Sequence, residues 1–184
     1  GPTHPDTLAV INNLASLYES QGHYGEAEPL FTQALEFRRE VLGPEHPDTL
    51  ASLNNLALVY QYQGRADEAE QLNVRALAIW EKTLGPEHPD VATSLNNLGR
   101  VYQFWGQYGK ALESYARSLE ISRKIGDVKG EASSLRSLGI VSAALGEHAE
   151  AKQYFEQVMV IEKRLGLSTT LSNILLAQLY MDMG

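Results

Sequence analysis

The strongest constraint on this 184-residue chain is a repeat. His4-Pro5-Asp6-Thr7-Leu8 returns as His46-Pro47-Asp48-Thr49-Leu50, and again as His88-Pro89-Asp90-Val91-Ala92, each time after 42 residues. Asn12-Asn13-Leu14-Ala15 follows the same rule as Asn54-Asn55-Leu56-Ala57 and Asn96-Asn97-Leu98-Gly99. Gly22, Gly64 and Gly106 keep the step, Gly146 shortens it to 40, and Gly184 follows after 38. A fixed period of this size means stacked copies of one supersecondary unit whose core is shared between neighbours.

Within a unit the apolar residues have helical spacing. Ile11, Leu14, Ala15 and Tyr18 fall at i, i+3, i+4 and i+7 on one face of a first helix. After the Gly22 turn, Ala27, Phe31, Ala34 and Leu35 mark a second, as do Ala69, Ala76 and Leu77, then Ala111, Tyr115 and Leu119. Small Ala27, Ala69, Ala111 and Ala151 let helices approach, and Leu14, Leu56, Leu98 and Leu138 fill the space between them. Leu42-Gly43-Pro44 and Leu84-Gly85-Pro86 close second helices, while Pro47 and Pro89 suit the first turn of the next, with Asp48 and Asp90 favourable to its dipole. The spacing predicts helices over 5–20, 24–42, 47–62, 66–84, 89–104, 108–125, 128–144, 148–165 and 168–183, and no strand.

The pattern Leu14-Ala15, Tyr18, Gly22, Tyr24, Ala27, Phe31, Ala34 resembles the tetratricopeptide repeat, and Leu98-Gly99, Tyr102, Gly106, Tyr108, Ala111 and Tyr115 match it again. The 42-residue period, the connector Leu-Gly-Pro-Glu-His-Pro-Asp and the paired Asn are similar to the subgroup found in kinesin light chains. The resemblance implies an all-α, right-handed superhelix of antiparallel helix pairs whose first helices line a concave groove. The expected repeats are 5–42, 47–84, 89–125 and 128–165, with a half repeat over 168–183, in a single array over 1–184. The fourth unit departs from the pattern: Gly126–Ala132 replaces the connector, Arg136-Ser137 replaces the Asn pair, and Ser142 stands in place of Tyr. Asn73 replaces an aromatic residue.

Opposite the core face of each first helix lie Ala9, Asn13, Ser16 and Ser20; Ala51, Asn55, Leu58 and Tyr62; Thr93, Asn97, Arg100 and Phe104; and Ser133, Ser137, Ile140 and Ala144. A carboxamide offers donors and an acceptor, so an Asn ladder can pair with an extended peptide backbone. Arg100 can anchor a ligand carboxylate, Tyr62 and Phe104 can take apolar side chains, and Arg136 at the edge can add a second cation. The resemblance implies that Asn13, Asn55 and Asn97 touch a bound peptide. Tying helix to helix is the alternative for them, and the favoured role for Asn12, Asn54 and Asn96, which lie nearer the core edge.

Other chemistry finds little support. With no Cys, disulfides, thiolate zinc sites and cysteine nucleophiles are excluded. Gly-x-Ser-x-Gly and phosphate-binding Gly-rich loops are missing, and no cofactor or metal site is expected. The His-Pro-Asp tripeptide also occurs in the J-domain, but there once, whereas three copies at the repeat period mark a connector. His23 and His148 are expected to be solvated, as are paired Glu26 and Glu28, and Glu68 and Glu70. The net charge of −8 disfavours nucleic acid and anionic membrane surfaces, and apolar runs such as Ile174–Ala177 fall far short of a membrane span. An intracellular, cytoplasmic location is expected. Acidity concentrates in residues 1–42 (six acidic, two basic) and 43–84 (six and three), whereas 85–126 inverts (four and five).

Gly1–Asp6 aligns with Gly43–Asp48, so the chain begins inside a connector, although Gly1-Pro2 also fits a tag remnant. The last helix, with Leu171, Ile174, Leu175, Leu176, Leu179 and Met181, is apolar on more than one face. A piece of a longer protein is therefore expected, with self-association through that helix as a further expectation. The sequence reads as a non-enzymatic protein-interaction scaffold that binds an extended peptide. Its alternatives are a structural or self-associating array, or a regulatory arm of a larger multidomain protein.

Overall fold

A computed structural model describes residues 5–182. Among these residues there are nine helices and no strand: α1 (Pro5–Ser20), α2 (Tyr24–Val41), α3 (Pro47–Tyr62), α4 (Ala66–Leu84), α5 (Pro89–Phe104), α6 (Tyr108–Ile125), α7 (Val128–Ala144), α8 (His148–Arg164) and α9 (Thr170–Asp182). Glycine and proline punctuation places the ends to within a residue or two of the expected map. The hairpin turn at Gly22 has φ 77° and the connector at Gly85 has φ 89°, a region that costs glycine least. Residues Gly1–His4 and Gly184, which carry the terminal expectations, lie outside the described residues. The helices divide after Gly85 into two compact units, α1–α4 and α5–α9.

The Glu, His and second Pro of the connector each have a task. Pro47 and Pro89 open α3 and α5, and His46 and His88 are the N-caps, their Nδ1 atoms accepting from the Asp48 and Asp90 backbone N–H at 3.2 Å. Glu45 pairs with Lys82 at 2.8 Å, and Glu87 pairs with Lys124, 37 residues downstream in both cases. The connector thus caps the helix it starts and ties down the end of the following second helix. Substituting His46→Ala is expected to cost about 1 kcal/mol, with His46→Ser recovering most of it, as read from denaturant midpoints.

Small residues of the first helix face a large residue of the second. A Cβ added at Gly99 would lie 2.6 Å from the Tyr115 ring, and one at Gly139 would lie 2.5 Å from Phe155. Ala15 and Ala57 occupy the equivalent positions of the first unit, and Ala27, Ala69, Ala111 and Ala151 are fully buried. In the first unit Phe31 packs with Ala15, Ala27, Leu56 and Val59. Asn73, at the aromatic position of the second pair, stays buried by donating from Nδ2 to the Ala69 carbonyl at 2.9 Å.

One core expectation is corrected. Leu56, Leu98 and Leu138 are buried, but Leu14 is 39% exposed, and neighbouring Val10 and Leu17 are more exposed still, because no second helix precedes α1 among the described residues. At the other end, Leu179 is buried with Ala151 and Phe155, and Leu175 and Leu176 pack beside them. Leu171, Ile174 and Met181 are exposed, so α9 is apolar on more than one face.

Candidate functional site

The stripe opposite the core face is accessible in every first helix. None of its sixteen members, four each from α1, α3, α5 and α7, is buried. Within the stripe Asn13, Tyr62, Arg100 and Phe104 are exposed, while Asn55, Leu58 and Asn97 are half-buried.

The two asparagines of a pair have different fates. In α5, Asn96 donates from Nδ2 to Ser118 Oγ on α6 at 2.6 Å and to Ser134 Oγ on α7 at 3.1 Å. Ser118 in turn donates to the Ala92 carbonyl at 2.8 Å. This Asn is a staple through three helices. Asn97, one residue on, points away from that seam, and among the described residues no protein group hydrogen-bonds its carboxamide or those of Asn13 and Asn55. Asn12 and Asn54, at the inner position, hold a buried Oδ1 without a protein partner.

In the second unit the stripe rests on Tyr115. Its ring passes under Gly99 and its hydroxyl donates to Gln103 Oε1 on α5 at 2.8 Å. Burial pushes the phenol up to about 12, against the opposing pull of the Ser137 hydroxyl and the Arg100 charge. Arg100, Gln103 and Ser137 therefore meet at the end of one buried side chain, which links the α5–α7 surface to the core. Since the folded-state value lies above that of a free phenol, this contribution to stability is complete below pH 10 and disappears as pH rises towards 12. The expected loss across that window is roughly 1.4 kcal/mol per pH unit. Tyr115→Phe should flatten this part of a denaturation-versus-pH series.

The aromatic members sit beside other rings. Tyr62 stacks on Tyr24 with centroids 5.0 Å apart and planes 12° from parallel, and Phe104 meets Trp105 edge-on at 5.3 Å. Such packing holds each ring in place, and both rings remain exposed. Arg100 has no ion pair among the described residues and is exposed, as anchoring a carboxylate requires.

Arg136 differs from its expected role. Its Nη2 lies 2.9 Å from Oε1 of Glu162, a carboxylate only 4% exposed on α8, so its charge is already matched. Two further expectations change. Glu28 and Glu68 do not simply solvate their helices: both converge on Arg65, at 2.7 Å and 2.5 Å, with the guanidinium 3.8 Å over the Tyr60 ring. Arg65 lowers both carboxyls from their ordinary value through these hydrogen bonds. His148 is half-buried with Nδ1 enclosed and unpartnered, whereas His23 is exposed. Among the described residues no group of three or more His, Cys, Asp or Glu could hold a metal ion, and no helix is long and apolar enough to cross a membrane.

Comparison with known proteins agrees with this geometry. The tetratricopeptide repeat family model matches residues 6–82, 48–124 and 106–164. The nearly identical TPR-like repeats of a protein assigned to the kinesin light chains of Podosopora anserina are 32% identical, with TM-score 0.79, over 97% of this chain and 87% of that one. BtubC (BKLC) from P. vanneervenii is 24% identical with TM-score 0.77, over 89% of this chain and 66% of its own. The aspartyl phosphate phosphatase F of Bacillus subtilis shares the fold, at 15% identity and TM-score 0.76, over 88% of this chain and 41% of its own. No curated protein sequence matches the chain. With helix pairs, small-to-large packing and connectors all in the same frame as these repeats, the chain belongs to the tetratricopeptide repeat family and has a kinesin-light-chain-like fold.

Proposed function

We propose that this scaffold, of a fold typical of protein–protein interaction, binds an extended peptide segment of a partner protein along the exposed stripe of its first helices. Asn13 and Asn55 on one unit and Asn97 on the other pair with peptide backbone, Leu58, Tyr62 and Phe104 receive apolar side chains, and Arg100 anchors an acidic one. Arg136 acts through Glu162 rather than as a ligand cation. The observation that supports this reading is the division of labour within the Asn pair: Asn96 is consumed in the core seam, whereas among the described residues no protein group hydrogen-bonds the Asn97 carboxamide. The reading is non-enzymatic and intracellular, with no nucleic-acid partner, and it treats the repeats as a single array because the sequence frame runs through both units.

A second reading is self-association through α9, supported by exposed Leu171, Ile174 and Met181. The test is a lysate pulldown with the wild-type chain and with Asn55→Ala, Asn97→Ala and Arg100→Ala combined, together with light scattering of both. Partners captured by wild type and lost by a folded, equally stable variant are expected. Unchanged capture would sink the peptide reading, and a dimer that Ile174→Lys converts to monomer would favour the second.

A further inference from the structure

Besides the stripe, the first unit carries a cavity of about 170 Å³ bounded by α2, the connector, the start of α3 and α4. Its floor is apolar: Leu35, buried Leu53 and the Pro44 ring. Thr49 lies in the floor with its hydroxyl already donating to the Gly43 carbonyl at 2.8 Å, so it holds the connector against the cavity and asks nothing of a ligand. A cavity of about 150 Å³ accommodates a benzene ring, so this one has room for a single apolar side chain.

The rim is cationic. Arg39 from α2 and Arg75 from α4 line it, and among the described residues neither has an ion pair. The contrast with Arg38 is informative. Arg38 is committed to structure, donating to Ser52 Oγ at 2.6 Å and to the Asp48 carbonyl at 3.4 Å, while Arg39 beside it in sequence faces the cavity. Glu36 is the only carboxylate in the lining, so the rim carries two positive charges against one negative.

We infer that this cavity binds a partner polypeptide that presents one carboxylate beside one apolar side chain, the apolar group on Leu35 and Leu53 and the carboxylate between Arg39 and Arg75. Charge complementarity selects the occupant. A singly charged carboxylate matches the net single positive charge of the rim. A dianionic phosphate or a nucleic-acid backbone is opposed by Glu36 and by the excess of twelve acidic over five basic residues in 1–84. Guanidinium groups bind carboxylates with paired, charge-assisted hydrogen bonds, and the apolar floor rewards the neighbouring side chain. None of the cavity's lining residues belongs to the stripe, so the two sites can be tested separately.

The test is a methyl and amide NMR titration of the full chain with acetyl-Leu-Glu-amide, acetyl-Leu-Gln-amide and inorganic phosphate. The Glu peptide is expected to move the Leu35 and Leu53 methyl signals with a millimolar dissociation constant, and the Gln peptide at least threefold more weakly. Arg39→Gln and Arg75→Gln should each weaken the Glu peptide at least threefold at unchanged thermal stability, and Glu36→Gln should tighten it. The Asn55, Asn97 and Arg100 triple variant should bind it as wild type does, which keeps this result separate from that for the stripe. Equal binding of the Gln peptide, unmoved Leu53 methyls, tighter binding of phosphate than of the Glu peptide, or indifference to both arginine substitutions would each overturn the proposal.

Discussion

Phe155→Ala is expected to destabilise the second unit by about 3–5 kcal/mol. The ring is 2% exposed, lies against the bare backbone of Gly139, and packs with Ala151 and Leu179. Truncation removes a large apolar surface, and the α7 residue directly against the ring is a glycine with no side chain to fill the gap. It also withdraws the floor on which Leu179, and with it α9, is held. In a stack of repeats stability is a sum of unit and neighbour terms, so the loss should be local. Hydrogen exchange should show α7, α8 and α9 opening at far lower free energy, while α1–α4 keep their protection. A uniform loss of protection along the chain would show that the stack is more cooperative than nearest-neighbour packing implies.

The helical frame was legible because three local signals coincide in the first three repeats, a 3.6-residue apolar spacing, a turn glycine and a connector proline, and the first two persist in the fourth. The position of the Asn pair was legible for the same reason, since a helix face is fixed by residue spacing. Long-range pairing was not. Nothing in the sequence distinguishes Arg38 from Arg39, yet one is tied to α3 and the other faces a cavity. Arg65 gathers Glu28 from 37 residues upstream, a partner invisible at helical spacing. Gly99 and Gly139 stand where the earlier repeats have Ala15 and Ala57, and only the rings lying against them show why the Cβ is missing. His46 and His88 were read by their tripeptide, whereas their use is as acceptors for the N–H two residues on.

Breaking the Arg136–Glu162 pair should have an effect as large as losing Phe155, and for a different reason. Arg136→Ala leaves the Glu162 carboxylate buried, with Oε2 already lacking a protein partner, and removal of one member of a buried pair costs about 3–5 kcal/mol. The repeat itself supplies the compensating change. One repeat earlier the equivalent positions hold Asn96 and Ser122, a neutral combination in the same architecture. The double substitution Arg136→Asn with Glu162→Ser is therefore expected to recover most of the loss and to lie within about 1 kcal/mol of wild type, since exchanging both members of a buried pair for neutral groups is often close to neutral. A double-mutant cycle in urea gives the coupling directly. If Arg136→Ala alone proves nearly silent, Glu162 reaches water or another donor once its partner is gone, and the pair is a surface contact rather than a device that fixes α7 on α8.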